Sequence, residues 1–107
     1  MQTIVIKPIS VNACWQGRRF KTEAYRSWRD EACLCLKRHD CAQKGNIQLH
    51  IRFYLKRSNS DIDNCVKPFL DALTEAGIIE DDRYITKLIV EKIKSDEEKI
   101  EYEIKKI

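Results

Sequence analysis

The clearest pattern in the sequence is a strict alternation of apolar and polar residues in segment 47–56. The residues on its apolar side are Ile47, Leu49, Ile51, Phe53 and Leu55. A period of two predicts a β-strand with one face in the core and the other in solvent. Segments 3–7, 84–94 and 99–107 alternate in the same way, so they predict three further strands, the last two joined by an acidic turn at 96–98.

Two other segments show the three-to-four-residue spacing of a helix with one apolar side. The first begins after Thr22, whose hydroxyl can cap it, and its stripe is Tyr25, Trp28, Ala32, Cys35, Leu36 and His39. The second begins at Asp61, and its stripe is Ile62, Val66, Phe69, Leu70, Leu73 and Ala76. Gly77 is expected to end this helix in a left-handed conformation. Residues 9–20 show neither period and predict a surface loop.

These elements predict a single α+β domain over residues 1–107, in the order strand, helix, strand, helix, strand, strand. We expect a small β-α-β-α-β-β fold whose sheet is mostly antiparallel or mixed, with two helices on one face. A chain of 107 residues can form one modest core. No apolar run reaches the length of a membrane span, and the first residues lack a secretory signal, so we expect a cytoplasmic protein without a membrane partner.

The start of the second helix has two interpretations. Ser60 and Asp63 match a capping box, in which Asp63 satisfies backbone donors and Lys67 pairs with Asp63 and Asp71 at i, i+4 spacing. Pro68 opposes a regular helix here because it lacks an N–H group and its ring clashes with the carbonyl four residues earlier. Such a proline kinks the helix axis, unless the regular helix begins only near Lys67 and the preceding residues form a distorted turn, which is the second interpretation.

Five cysteines are present, an odd number without any C-x-x-C pair, which argues against a disulfide framework. Cys33, Cys35, His39 and Cys41 are close enough in sequence to raise the alternative of a zinc site. On one helix, however, Cys33 and Cys35 point about 200° apart, so the four side chains cannot converge on one ion. We interpret the cysteines as small packing residues in a reducing compartment.

Charge is distributed unevenly, although the net charge is only +3. Residues 1–60 contain twelve Lys or Arg and four Asp or Glu, whereas residues 61–107 contain eight and thirteen. A basic part joined to an acidic cluster suits a nuclease, which must hold both phosphates and cations. Ordinary solvated surface charge is the alternative. Three bases in the predicted loop are candidates for contacting the DNA backbone, namely Arg18, Arg19 and Lys21.

The candidate chemistry lies around the second helical segment. Asp61 and Asp63 precede Lys67, and an acidic run that ends at Asp82 follows Gly77. If the chain reverses at Gly77, Asp82 returns towards the first two carboxylates. Mg²⁺ prefers carboxylate and water oxygens, and a nearby ammonium can stabilise the charge of a reacting phosphate. We therefore predict Asp61, Asp63 and Asp82 as metal ligands, with Lys67 as a fourth catalytic residue.

The same stretch resembles the RusA family of Holliday junction resolvases, small metal-dependent endonucleases that cut four-way DNA junctions. The family signature is D-x-D-N-x-x-K-x-x-x-D-A-L followed by a D-D pair, and the matching residues are Asp61, Asp63, Asn64, Lys67, Asp71, Ala72, Leu73, Asp81 and Asp82. A second family pattern, P-x-S-x-N, is matched by Pro8, Ser10 and Asn12. The resemblance leaves open whether Asp81 or Asp82 is the ligand.

The resemblance implies a bacterial or phage endodeoxyribonuclease that acts in DNA recombination and repair. It implies Mg²⁺ as the cofactor, with Mn²⁺ as a substitute, bound in the same way by Asp61, Asp63 and Asp82 beside Lys67. The implied partners are a four-way junction or other branched DNA and a second copy of the chain, because two symmetric nicks suit a homodimer. No small-molecule cofactor is implied. Asn12 is implied to lie near the DNA, although a loop Asn most often caps a turn.

Three other functions remain open from the sequence. The first is a non-catalytic module that binds branched DNA and whose acidic residues are structural. The second is a Mg²⁺-dependent nuclease for other branched DNA. The third is a protein-interaction domain, which would show no salt-dependent affinity for DNA.

Overall fold

A four-stranded mixed sheet forms the centre of the computed structural model, which describes residues 1–10, 15–16, 20–39, 43–57 and 61–107. The strands in these ranges are β1 (Gln2–Ile4), β2 (Trp15–Gln16), β3 (Phe20–Lys21), β4 (Ile47–Leu55), β5 (Ile85–Lys94) and β6 (Lys99–Lys106). The main sheet has the order β1-β6-β4-β5. β6 pairs antiparallel with β1 and β4, whereas β4 and β5 are parallel. The predicted α+β domain with a mixed sheet is thus confirmed.

The first helix, α1, spans Glu23–His39 and begins as the sequence predicts. The Thr22 hydroxyl oxygen accepts a hydrogen bond of 3.1 Å from the backbone N–H of Tyr25, which satisfies one of the unpaired donors of the first turn. Four members of the predicted apolar stripe are buried in the core, namely Tyr25, Trp28, Ala32 and Leu36.

The second helix, α2, spans Val66–Glu75 and packs on the sheet through Phe69. The Phe69 side chain is fully buried, and its ring lies edge-on to Phe53 of β4 and Tyr102 of β6, with centroid distances of 6.1 and 5.6 Å. Aromatic pairs in this geometry stabilise a fold beyond the area that they bury. These contacts fix the position of α2, which carries Lys67 of the candidate active site.

The two faces of β4 follow the predicted alternation, with every odd-numbered residue buried and every even-numbered residue partly exposed. On the exposed face, Glu91 of β5 accepts hydrogen bonds from Arg52 at 2.6 Å and pairs with His50 at 2.7 Å. Arg52 also lies 3.8 Å from Glu101 of β6, whose carboxylate accepts a hydrogen bond from Tyr54. The positive charge of this face is therefore balanced by carboxylates on the neighbouring strands.

The second helix begins later than its apolar stripe suggests, which is the second of the two interpretations above. Residues 62–65 form a turn, closed by backbone hydrogen bonds of 3.1 Å from Asn64 to Asp61 and from Val66 to Asp63. The start at Val66 places Pro68 in the first helical turn, where its missing N–H is not needed. The capping-box alternative does not hold for α2, because its N-cap is Cys65, which makes no side-chain cap; Ser60 lies outside the described residues.

Three predicted boundaries differ from the structure because short irregular segments leave no clear period. The first strand ends at Ile4, where the Ile6 N–H turns back to the Ile4 carbonyl at 3.0 Å. The predicted loop 9–20 is not wholly irregular, since β2 pairs antiparallel with β3 over two residues of each strand. A 3₁₀ turn at Asp82–Tyr84 precedes β5, which begins one residue later than expected.

The parallel pairing of β4 with β5 requires a crossover connection, and residues 56–84 provide it with α2 at their centre. All four predicted catalytic residues lie in this one connection.

Neither helix of the described ranges has the length and apolarity that a bilayer-spanning helix requires.

Candidate active site

The C-terminus of α2 is a turn that reverses the chain. Gly77 has a φ of +74°, which is the left-handed region that glycine adopts without strain. Its N–H donates to the Thr74 carbonyl at 3.0 Å, and the Ile78 N–H donates to the Leu73 carbonyl at 2.9 Å. This pair of bonds is the Schellman motif, and the buried side chains of Leu73 and Ile78 complete it. The predicted helix end at Gly77 is confirmed.

After this turn the chain returns along α2 and brings Asp82 to the helix surface. The Lys67 Nζ atom donates to Asp82 Oδ2 at 2.7 Å and lies 3.0 Å from Asp71 Oδ1. The Thr74 hydroxyl donates to Asp82 Oδ1 at 3.2 Å, so both oxygens of this carboxylate are bonded. Together with two neighbouring acids these side chains line an open cleft of about 270 Å³.

Lys67 is held as a cation by this arrangement. The hydrogen bond to Asp82, followed by the one to Asp71, raises the pKa of Lys67 above its ordinary value. The ammonium therefore stays protonated at neutral pH and cannot serve as a general base in this state. Its chemical capacity is electrostatic, namely the stabilisation of negative charge that reaches the cleft.

The acidic run before β5 contains three residues whose side chains point to different partners. Glu80 accepts a hydrogen bond of 2.7 Å from the backbone N–H of Gly45. Asp81 accepts one of 3.1 Å from the backbone N–H of Arg83 and caps the 3₁₀ turn. Asp82 alone of the three is bonded to a side chain of α2. The geometry thus favours Asp82 over Asp81 as the functional acid.

Asp61 and Asp63 lie on the turn that leads into α2, and both are exposed. Their backbone carbonyls close this turn, which leaves their carboxylates at the solvent-facing start of the helix. Thr74, which binds Asp82, lies seven residues beyond Lys67, or roughly 10 Å along the helix axis. Asp82 thus bonds to two side chains of α2 that are seven residues apart, Lys67 and Thr74. The carboxylates of Asp61 and Asp63, by contrast, belong to residues that precede the first turn of this helix.

The residues of this site are of the type that binds a divalent cation, but their carboxylates are not close enough together to share one ion. Carboxylate oxygens are the ligands that Mg²⁺ prefers, and it requires them at 2.0–2.1 Å in nearly ideal octahedral positions. Among the described residues, no three His, Cys, Asp or Glu side chains are grouped closely enough to hold a metal ion. The ammonium of Lys67 instead provides the positive charge next to Asp82. In this protomer the three carboxylates are therefore not preassembled as one ligand set.

The predicted DNA-binding residues fall largely outside the described part of the chain. Asn12, Arg18 and Arg19 lie outside the described residues. The backbone of Lys21 belongs to β3 and pairs with Trp15 of β2. This short ladder fixes the path of the chain next to the basic loop.

The zinc alternative finds no support in the described residues. Cys33 and Cys35 lie on the continuous helix α1, and both are free thiols. Burial is the main cause that raises the pKa of the Cys33 thiol, which keeps it protonated and a poor metal ligand. Cys41 lies outside the described residues.

One residue of the site was missed by sequence reasoning. Thr74 lies seven residues after Lys67, on the same side of α2, and this i, i+7 spacing was the available signal. A threonine at such a position more often bonds to the carbonyl four residues earlier, and Thr74 does so with Leu70 at 3.1 Å. Only the path of the returning chain shows that its hydroxyl also meets Asp82.

Fold and site together define a small α+β protein that carries an acid–lysine cluster on the crossover between two parallel strands. The family model of endodeoxyribonuclease RusA matches residues 8–105 of the 107-residue chain. The chain belongs to the RusA family, so it is an endodeoxyribonuclease of the Holliday junction resolvase type, which acts on branched DNA. A comparison with curated proteins found no match.

Proposed function

We propose that this protein resolves four-way DNA junctions by paired symmetric nicks, as a Mg²⁺-dependent homodimer in DNA recombination and repair. Mn²⁺ is the expected substitute ion, and the cytoplasm is the expected location. The observation that carries the proposal is the contact of Lys67 with both Asp71 and Asp82, inside the segment that matches the family signature. A positioned ammonium can stabilise the charge that develops on a phosphate, and carboxylates are the ligands that Mg²⁺ prefers.

The proposed roles follow from the contacts of each side chain. Asp61, Asp63 and Asp82 would hold the cation, and Lys67 would stabilise the charge of the attacked phosphate or the leaving 3′ oxygen. Thr74 would position Asp82, to which its hydroxyl donates a hydrogen bond. Asp71 would position Lys67, with which it forms an ion pair. When bound, the cation would supply an activated water and relieve charge on the phosphate.

Binding of the cation requires a change in this arrangement. The carboxylates of Asp61 and Asp63 must approach Asp82, because a shared ion tolerates only short distances to its ligands. Asp82 Oδ2 must also exchange the ammonium of Lys67 for the ion or share it. Asp61, Asp63 and Lys67 have exposed side chains, which reorient within nanoseconds, whereas Asp82 is partly buried.

A homodimer supports the proposed reaction for a geometric reason. A four-way junction has two-fold symmetry, and one small active site cannot cut two symmetric strands at once. Two copies related by a two-fold axis would present one site to each strand. Each junction would then receive two nicks without a second binding event.

The test compares three labelled substrates, a four-way junction, a flap and a linear duplex, with and without Mg²⁺. Wild type is expected to make paired nicks in the junction only, and only with the metal. Asp61→Asn should bind the junction and lower the cleavage rate by about 10²- to 10³-fold. Asp96→Asn is the matched control, because it removes the same charge from an exposed turn between β5 and β6.

Other outcomes select the other functions. Tight binding of the junction by wild type without cleavage under any metal supports a non-catalytic DNA-binding module, which the ungrouped carboxylates of the protomer favour as the second candidate. Equal cleavage of the flap and the junction supports a Mg²⁺-dependent nuclease for other branched DNA. Cleavage by Asp61→Asn at the wild-type rate contradicts the proposed metal site.

A further inference from the structure

A second cleft, distinct from the one at Asp82, opens at the N-terminal end of α2, next to Cys65. It has a volume of about 470 Å³ and is lined by three basic side chains, Lys7, Lys56 and Arg57, with Glu98 as the one acid among its described lining residues. We propose that this basic cleft binds the sugar–phosphate backbone of the DNA strand next to the active site. The inference rests on the proposed function and names the surface through which the substrate is held.

The walls of the cleft come from four parts of the chain. One wall is the segment after β1, with Lys7 and Ser10, and another is the end of β4, with Lys56 and Arg57. Cys65, the residue before α2, and Glu98, in the turn between β5 and β6, close the remaining sides. The basic residues are distant in sequence, so the fold rather than local composition brings them together.

The backbone that carries the basic side chains is fixed by hydrogen bonds. The indole N–H of Trp28 in α1 donates to the Lys7 carbonyl at 2.6 Å. The Ser95 N–H donates to the Leu55 carbonyl at 2.9 Å, which holds the end of β4 directly before Lys56. A preorganised backbone lowers the entropy lost when a charged ligand orders the side chains.

The three basic side chains differ in their surroundings from the other cations near the site. Lys67 is bonded to two aspartates, and Arg52 is bonded to Glu91. By contrast, the three basic side chains of this cleft, Lys7, Lys56 and Arg57, are exposed, and none is within ion-pair distance of an acid in the described part of the chain. A concave surface with an excess of two positive charges concentrates an anionic ligand more strongly than a convex one.

The position of the basic cleft relates it to the predicted catalytic acids. Arg57 is four residues before Asp61, and Cys65 is two residues after Asp63. Cys65 ends the turn at residues 62–65 and also lines the cleft, so a strand in the cleft would lie beside the turn that contains Asp63. Cations that contact phosphates fix the register of a nucleic acid without reading its sequence. The basic cleft would thus hold the backbone while the acids act on a neighbouring phosphate.

The test measures binding of a labelled four-way junction in EDTA over a range of salt concentrations. The variant carries Lys7→Gln, Lys56→Gln and Arg57→Gln together, and the control carries Lys87→Gln, Lys105→Gln and Lys106→Gln. Both sets remove three exposed positive charges. The control residues lie at the opposite end of β4, roughly 26 Å away for eight residue steps. Circular dichroism and thermal unfolding verify that both variants fold.

The expected result is specific to the basic cleft. Each lost phosphate contact lowers the slope of log K against log salt by about 0.9 for duplex arms, so the triple variant should lose roughly 2–3 from the slope. Its affinity should fall by on the order of tenfold or more at physiological salt. The control should keep most of the wild-type slope. Glu98→Gln should have the opposite effect and tighten binding, because it removes the acid from the cleft.

Failure of this inference is distinguishable from failure of the proposed function. If wild type binds and nicks the junction but the triple variant binds as the control does, the basic cleft is overturned and the proposed function stands. A lower affinity of Glu98→Gln for the junction would also contradict the proposal that the basic cleft binds DNA. If wild type neither binds nor cuts the junction, the proposed function fails and the cleft assignment fails with it.

Discussion

Two neighbouring aspartates, Asp81 and Asp82, contact different parts of the structure although they are adjacent in sequence. Asp81 has an extended backbone with φ −169° and uses its carboxylate to cap the 3₁₀ turn that follows. Asp82 is the first residue of that turn, and its carboxylate meets Lys67 and Thr74. The cap on Arg83 fixes the orientation of the turn, so Asp81 positions the backbone that carries Asp82.

This contrast predicts unequal effects of two isosteric substitutions. Asp82→Asn removes the charge that faces Lys67 and should lower the rate of junction cleavage by about 10²- to 10³-fold. Asp81→Asn keeps an oxygen that can accept the Arg83 hydrogen bond, so its rate should stay within about threefold of wild type. Single-turnover cleavage with saturating protein measures both rates. Equal losses for the two variants would show that the side-chain orientations do not determine the reaction.

The sequence is sufficient to select the candidate residues of the site, but it does not predict which of them are in contact. The spacing of Asp61, Asp63 and Lys67, with Asp82 beyond a glycine, is sufficient to nominate all four residues. Their distances depend on how α2 begins and on the path after Gly77, which are tertiary features. The helix start shows this clearly, because Pro68 signals a late start that the apolar stripe alone conceals.

At the scale of elements, the end of α2 determines where Asp82 lies. Gly77 and Gly45 have nearly equal φ angles of +74° and +75°, and an added Cβ would meet no atom within 4 Å at either position. A substitution by alanine therefore introduces backbone strain without a steric clash. The two glycines form a matched pair, since Gly77 directs the chain to the site and Gly45 lies in the turn before β4.

Gly77→Ala and Gly45→Ala should each lower the free energy of unfolding by about 1–2 kcal/mol, the cost of a left-handed conformation for a residue with a Cβ. Only Gly77→Ala should also lower the cleavage rate, by about tenfold or more, because relief of the strain moves Asp82 away from Lys67. Urea unfolding and single-turnover cleavage measure the two effects. A cleavage rate that is the same for both variants would argue against a positioning role for this turn.

The polar face of the sheet predicts a pH dependence of stability. The hydrogen bond from Arg52, followed by that from His50, lowers the pKa of Glu91 below its ordinary value. The folded protein therefore favours the ionised carboxylate. Its stabilising effect is present above the pKa of the unfolded chain, about 4.3, and is lost as the pH falls through the lower pKa of the folded state.

Glu91→Gln should accordingly unfold at a lower temperature than wild type at pH 7. The difference should shrink as the pH falls from roughly 5 to 3. Glu97→Gln is the control, because it removes the same charge from an exposed position in the turn between β5 and β6. Thermal unfolding followed by circular dichroism across this pH range measures the effect. A difference that grows towards low pH would contradict the assigned direction of the pKa shift.

Alternation of apolar and polar residues predicts which residues form strands and which face of each strand is buried. It does not predict which strands pair with each other in the sheet. The burial pattern of β4 follows directly from its sequence. Its parallel pairing with β5 does not, because the pairing depends on where α2 packs. The alternating segments of β5 and β6 are compatible with several strand orders. Contacts such as those of Phe69 select one of them.

At the scale of the whole molecule, the proposed homodimer predicts the products that a mixture of subunits makes. A heterodimer of wild type and Asp61→Asn contains one working site and should nick one strand of each junction. On a supercoiled plasmid with a cruciform, excess Asp61→Asn should convert linear product into nicked circles. Mixing with Asp96→Asn should leave the linear product unchanged. If the linear product falls only in proportion to the dilution of wild type by Asp61→Asn, the two active sites act independently of each other.

The position of β6 has a consequence for the protein during its synthesis. This strand follows all the others in the chain, yet it lies between β1 and β4 in the sheet. A growing chain on the ribosome therefore cannot join its first strand to the rest until residues 99–106 have emerged, and the core residues Ile100 and Tyr102 arrive only then. Non-local pairing of this kind delays folding to a late, concerted step. A chain that stops before residue 99 should therefore lack both the partner of β1 and two of the largest buried side chains of the core, so we expect it to remain unfolded.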